Sequence, residues 1–433
     1  MKLKIENFAK IKEADIKLDG ITVIAGLNDT GKSTVGKVLY SIFNSLNTID
    51  KSVENERKND IKSICTELVE GILQSSDYYK IDENGNLISM VELLAQKIVD
   101  FNGELTKSAY KELVQMELLG EGEETDKETL EEYVESTYSR ISAIKNTSDM
   151  DLYKEVLERY FSRTFSEQMN NCDDNESIAN ITLTLKSKEI KASFSKNHCT
   201  EMEMPMRIIH EAFFIDDPFV LDNIDPISHI GRMSIRDNLV RRIMYPGKNI
   251  MDGIFDAVTS KDNLKEINDV FNKVADGRIL SMRDGIKYSS QAHEEPIAIA
   301  NLSAGLKGFV LIRTLLEKGI LKEKDVLILD EPEVHMHTQW QLTYAKIIVL
   351  LQKYFGLTIL VTTHSSHFLQ AIEYYSKYYK LDEKCNYYLA KRKENGVIFA
   401  DVTNDTNEIY SEMVEPSILL DQLEEELEYE DGK

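Results

Sequence analysis

The stretch GLNDTGKS, Gly26 to Ser33, fits the pattern G-x-x-x-x-G-K-[ST] and lies between a strand-like run, ITVIAG, and a helix-like one, KSTVGKVLYSIFNSL. Glycines let the backbone curl until successive N–H groups face one anion, and the following helix adds the partial positive charge of its N-terminus. The chemistry implied is the holding of a phosphate chain. Gly26, Asn28, Asp29, Thr30, Gly31, Lys32, Ser33 and Thr34 are the candidate binders. Lys32 would reach the β- and γ-phosphates, and Ser33 would offer its hydroxyl to Mg²⁺. A second candidate is VLILDE, an apolar run whose end brings Asp330 beside that ion, with Glu331 positioned to orient and polarise an attacking water. A third is LSAGLKG, Leu302 to Gly308, where Ser303 and Gly305 open a helical pattern with small donors suited to an anion.

His335 and His337 follow the two acids in LILDEPEVHMHTQW and raise a different possibility, a metal-dependent nuclease centre. That would need both histidines and Glu333 to converge. Alternate residues point apart on a helix and share a face only on an extended strand. A structural or interface role for the histidines stays open beside it.

Those residues need a parallel sheet to carry them. KLKIENF, EADIKL and ITVIAG read as three short strands. From about Ile49 the pattern turns to long helical stretches rich in Glu, Lys and Leu, without sustained heptads, which predicts a packed helical lobe. IANITLTLKSKEIKASFS and RILSMRDGIKYSS read as hairpins, and HEAFFIDDPF as a short strand ending at Asp216 and Asp217. The expected organisation is core at 1–48, a helical insertion at 49–175, core strands at 176–230, a helical subdomain at 231–278, core again at 279–415, and an acidic tail at 416–433. The lobe could be a spacer or a partner-binding element.

With 42% hydrophobic residues, 433 residues are enough for real cores. A formal charge of −24 argues against general nucleic-acid coating, so any such contact needs a local basic patch. Two clusters qualify: GRMSIRDNLVRR, with Arg232, Arg236, Arg241 and Arg242, and Lys391 to Lys393. An ordinary solvated face is the competing reading. Cys65, Cys172, Cys199 and Cys385 are scattered without C-x-x-C spacing, as expected of reduced thiols. Neither a signal peptide nor an apolar run of about 20 residues is written, so a cytoplasmic location is expected.

The combination of LSAGLK, then VLILDEP, then a strand ending in TTH resembles the signature motif, Walker B strand and H-switch of the ATP-binding cassette (ABC) superfamily. The resemblance covers roughly the first 45 and the last 140 residues. It implies an α/β fold, a P-loop NTPase of ABC-ATPase type with a mixed sheet, flanking helices and a helical insertion lobe. It also implies ATP and Mg²⁺ as ligands, Ser303 and Gly305 against the γ-phosphate held by another protomer's Lys32, and His364 against the γ-phosphate of its own. Catalysis would then fall to Glu331, Lys32 and His364, metal binding to Ser33 and Asp330, and two sites would form in a homodimer or higher oligomer. Asp216 or Asp217 would stand where the family has its Q-loop glutamine.

Within the superfamily, DEPEVHMHTQWQ is similar to the DEPExHLHPxxQ of soluble bacterial ATPases, with Met336 and Thr338 as departures. That group includes ATPases of the Septu and PARIS phage-defence systems and the OLD nucleases, with RecF and SMC proteins more distant. The resemblance implies an ATPase that controls a co-encoded effector, a toxin or nuclease, in antiviral defence. Alternatives are an ATP-gated DNA-binding or repair protein of RecF or SMC type, or an OLD-like nuclease. Against the last, only about 70 residues follow His364, short of a typical domain.

Overall fold

The computed structural model describes all residues except 48, 74–77, 82–86, 119–126, 172–173, 175, 224–233, 246–260, 283–284, 415–418, 421 and 424–433. Three strands open the chain, β1 (Lys2–Phe8), β2 (Ile11–Lys17) and β3 (Ile21–Gly26), and helix α1 (Lys32–Leu46) follows. Next come α2 (Ile49–Ile72), the short pair β4 (Tyr79–Ile81) and β5 (Leu87–Ser89), and then α3 (Met90–Asp100), α4 (Lys107–Leu118), α5 (Lys127–Asn146) and α6 (Asp149–Phe165). Strands β6 (Ala179–Leu185), β7 (Lys188–Ser195), β8 (His198–Glu203) and β9 (Ala212–Ile215) precede a 3-10 turn, Pro218–Asn223. Helices α7 (Ile235–Met244) and α8 (Lys261–Phe271) lead to β10 (Arg278–Met282), β11 (Gly285–Ser289) and β12 (Ile297–Ala298). The remainder alternates: α9 (Ala304–Glu317), β13 (Val326–Asp330), α10 (Thr338–Phe355), β14 (Thr358–Thr363), α11 (Ser366–Tyr378), β15 (Cys385–Lys393) and β16 (Gly396–Asp401).

Eleven strands join one sheet in the order β8, β7, β6, β1, β2, β16, β15, β3, β14, β13, β9. The block β15, β3, β14, β13, β9 is parallel throughout, whereas β8, β7, β6, β1 and β2 pair antiparallel. Composition explains the split. All residues of β3 are buried and β13 is buried up to Asp330, as parallel strands covered on both faces must be. In β6 and β7 burial alternates, as on a sheet with one solvated face. The fold is therefore the mixed α/β sheet with flanking helices that the motifs imply.

Helix α1 is seated directly on the parallel block. A Cβ on Gly36 would stand 2.8 Å from Ile328 Cγ2 on β13 and 3.0 Å from Phe214 Cε2 on β9, so only a hydrogen there permits this approach.

The chain divides into two compact units, Thr48–Val156 and the remainder. The helical unit has its own core, with Ile61, Cys65, Leu68, Leu94, Ile98, Tyr110 and Val114 buried together. The insertion was expected to run to residue 175, but the chain rejoins the sheet-bearing unit from Leu157. The cause is aromatic: Phe161 and Phe165 meet Phe8 of β1 edge-on at 5.9 and 4.9 Å, so the second half of α6 belongs to the sheet's core. Arg232 and most of the acidic tail lie outside the described residues. No helix among the described residues is long and apolar enough to cross a membrane.

Gly36→Val should overpack the α1 seat and cost about 1–3 kcal/mol. Thermal unfolding checks it, and a midpoint equal to that of the unaltered protein would mean α1 is not seated this way.

Candidate functional site

Strand β3 delivers the chain into the phosphate-loop motif at the end of the parallel block. Gly26 has φ 142°, and a Cβ on it would lie 2.8 Å from the Ala390 carbonyl of β15. Gly31, the N-cap of α1, has φ 74°. Asp29 adopts φ 62°, which costs a non-glycine residue energy unless neighbours hold it. Here they do: Lys10 pairs with its carboxylate, Arg392 approaches it at 3.5 Å, and Arg392 also donates to the Asn28 carbonyl at 3.0 Å. Lys10 draws the Asp29 carboxyl below the usual carboxylate range, with Arg392 adding to it. Thr30 Oγ1 donates to Leu27 O at 2.8 Å, and the Thr34 N–H to Gly31 O at 3.0 Å.

Lys32 is buried. Its ammonium donates to the carbonyls of Gly26 at 3.1 Å and Leu27 at 2.8 Å. Burial pulls its pKa down, while the carboxylates of Glu331, Asp330 and Glu333 act in the opposite sense.

Those carboxylates arrive on β13 and the turn after it. Thr362 Oγ1 on β14 donates to Asp330 Oδ1 at 2.6 Å, and the Ser33 hydroxyl acts favourably on the same carboxylate. Burial pushes the Asp330 carboxyl up, and these two hydroxyls hold it back. The next residue, Glu331, has φ 51°, and its N–H donates to both Thr362 O at 3.2 Å and Thr362 Oγ1 at 3.0 Å. Its Oε1 lies 2.7 Å from His364 Nε2, which holds the carboxyl below its ordinary range. Asp330, Glu331 and His364 are thus joined through Thr362 and the Glu331–His364 bond, and Lys32 and Ser33 act on the same carboxylates electrostatically.

Ser303 and Gly305 sit on another element. The Ser303 hydroxyl caps α9, accepting from the Leu306 N–H at 3.4 Å, and the residue is exposed. Gly305 is pressed on the chain after Glu331: a Cβ there would meet His335 O at 2.9 Å and Trp340 at 3.2 Å. Lys307 is buried, paired with Asp222 at 2.7 Å and lying over the Phe219 ring at 4.7 Å, so the turn after β9 anchors the start of α9. The two histidines diverge. His337 caps α10 through Nδ1, accepting from the Gln339 N–H at 3.3 Å, whereas His335 meets the edge of Phe219 at 5.7 Å. Among the described residues no three His, Cys, Asp or Glu side chains group as metal ligands.

Asp216 and Asp217 end β9 near Asp330, and Arg236 of α7 clamps both, at 3.0 and 3.2 Å. Arg242 pairs with Glu211. The first basic cluster therefore spends these arginines on internal carboxylates, and Arg392 of the second lies against the phosphate loop.

A family model for the AAA ATPase domain matches residues 1–369. The chain belongs to this family. No curated protein matches it. Among solved structures, this AAA ATPase chain is similar to an Smc head bound to the C-winged helix domain of ScpA, at 11% identity over 92% of this chain and 97% of that one, with a TM-score of 0.43. It is similar also to the SMC head domain from Thermotoga maritima (11% identity, 93% and 98% covered, TM-score 0.35). A third is the Smc head domain with an extended coiled coil bound to the C-terminal domain of ScpA, derived from Pyrococcus furiosus (12%, 96% and 98%, TM-score 0.34).

The donor set of this AAA ATPase domain fits Mg²⁺: the half-buried Asp330 carboxylate and the Ser33 hydroxyl that acts on it are hard oxygen ligands, and the raised Asp330 carboxyl is one that a cation would relieve. Three contributors escape motif reading. Thr362 holds both acids. Glu333, buried, accepts from Thr363 Oγ1 and from the His364 N–H at 3.0 Å. Gln341 bridges Ser365 Oγ at 2.7 Å and Met336 O at 3.1 Å. Glu333 and Gln341 do stand at the second glutamate and the glutamine of the DEPExHLHPxxQ wording, and paired threonines precede His364, but that wording does not give their contacts.

Thr362→Val leaves the half-buried Asp330 carboxylate with one donor fewer and should cost about 1–3 kcal/mol. Chemical denaturation measures it, and an unchanged midpoint would mean the Thr362 bonds carry no weight.

Proposed function

We propose that the protein is an ABC-type ATPase that binds and hydrolyses ATP with Mg²⁺ between two copies of itself and so controls a partner effector. The observation that carries this is the convergence of Lys32, Ser33, Asp330, Glu331 and His364 at one end of the parallel block, with Ser303 exposed at the head of a separate helix. In this reading the loop N–H groups and Lys32 hold the phosphates. Ser33 and Asp330 would hold Mg²⁺, which supplies charge neutralisation on the phosphoryl oxygens. Glu331, kept ionised by His364, accepts the proton of the attacking water and aligns it for in-line displacement. Positioning and charge stabilisation do the rest, with Ser303 and Gly305 of a second copy donating to the γ-phosphate.

The Glu331–His364 bond supports a switch as well as a base, because one side chain touches both the water's place of attack and the strand end beyond β14. The wording of DEPEVHMHTQWQ supports an effector-controlling role in antiviral defence, with a co-encoded nuclease or toxin as the partner and a cytoplasmic setting. Nucleic acid as a direct ligand is disfavoured by the commitment of Arg236, Arg242 and Arg392 to internal acceptors.

Lys32→Ala should abolish ATP binding, measured by calorimetry. Glu331→Gln should bind ATP and shift to a larger species in light scattering with hydrolysis lost. Ser303→Arg should bind ATP and fail to pair; normal hydrolysis by Ser303→Arg would overturn the shared site.

A further inference from the structure

Glu333 is a carboxylate with little reason to be buried unless something uses it. It is 4% exposed, it lies beyond the two acids assigned above, and its Oε2 has no hydrogen-bond partner among the described residues. Isolating a carboxyl oxygen in this way costs free energy that packing alone does not explain. Its other oxygen, Oε1, takes both the Thr363 hydroxyl and the His364 N–H, and Thr363 Oγ1 in turn accepts from the Ser365 N–H at 3.0 Å. The strand end that bears His364 is therefore pinned on its main chain by one side chain. From the other flank, Gln341 joins Ser365 Oγ to the Met336 carbonyl, and Met336 N–H bonds Glu333 O at 2.9 Å. Two struts thus tie the segment from Glu333 to His337 to the stretch Thr363–Ser365, one through the His364 N–H and one through the Ser365 hydroxyl.

We propose that Glu333 is a positioning residue: by holding Thr363 Oγ1 and the His364 N–H, it sets the His364 imidazole at 2.7 Å from Glu331 and so sets the geometry of the water-activating pair. Glu333 does not touch the reacting atoms. It acts through His364, and it links that histidine to the Val334–His337 turn, whose Val334 and His335 are exposed. A second copy seated on that turn would press on the same carboxylate. This inference rests on the ATPase reading for its kinetic consequence but not for its structural one.

The test compares Glu333→Ala, Glu333→Gln and Thr363→Val in the full-length protein. Glu333→Ala should lower kcat about tenfold or more with the KM for ATP within about twofold, the pattern of a lost transition-state arrangement rather than lost binding. Glu333→Gln, which keeps an acceptor oxygen, should recover most of that loss. In a double-mutant cycle, Glu333→Ala should add nothing once His364 is alanine. NMR of the His364 ring, assigned by its absence in His364→Ala, supplies a readout that needs no hydrolysis: Glu333→Ala should shift the ring signals and their pH titration, and Glu333→Gln should not. If Glu333→Ala is unfolded, Thr363→Val carries the same expectations. Ring signals and titration unchanged in the folded variant overturn the proposal whatever the ATPase rate. An absent rate in the unaltered protein with shifted ring signals overturns the ATPase reading and leaves the positioning role standing.

Discussion

A buried ammonium facing three carboxylates is the constraint on which the rest of the molecule depends. Removing a charge from water costs several kcal/mol unless partners answer it, and Lys32 is answered by loop carbonyls at short range and by Asp330, Glu331 and Glu333 around it. That arrangement requires β3, β13 and β14 to be adjacent, parallel and covered on both faces, and it requires α1 to descend onto β13 and β9 at a glycine. Each carboxylate is then fixed differently: Asp330 by hydroxyls, Glu331 by an imidazole, Glu333 by a hydroxyl and an amide. Three acids within a four-residue stretch thereby hold three distinct environments, which is how neighbouring groups of one type come to do different work.

Rigidity continues from the acids into the helices. Gly305 lets α9 lie against the His335 carbonyl at a separation that a Cβ would not allow, with Trp340 and, beside Gly308, Met336 packed close to the same helix. The Lys307 to Asp222 pair fastens the same helix to the turn after β9, and Arg236 fastens that turn's acids to α7. Through this clamp the carboxylates of both Asp216 and Asp217 already have a cation.

Local patterns carried the sequence reading far. Unbroken apolar runs marked β3, β13 and β14, and the glycine spacing marked the loop between β3 and α1. What escaped was non-local. CNYYLAKRK, which ends in the basic cluster, is strand β15: its first six residues are buried, so no alternation betrays it, and besides its hairpin with β16 it pairs with β3, more than 350 residues away. The burial of Glu333 depends on donors about 30 positions downstream on another strand, and a glutamate written between proline and valine gives no local sign of that. Likewise α6 looks like one continuous helix of the insertion until Phe8 is known to meet Phe161 and Phe165. Why Asp29 occupies a left-handed position is equally invisible without Lys10 and Arg392 beside it.

The position of β3, with β14 on one side and β15 on the other, has a consequence for how the chain matures on the ribosome. The phosphate loop emerges well before either strand that flanks its parent, because β14 and β15 lie more than 300 residues further along the chain. Contacts of such sequence separation are formed late and slowly. Until those strands are made the nascent polypeptide carries a complete phosphate-binding motif without the neighbours that shape it, and nucleotide competence waits for β14 and β15.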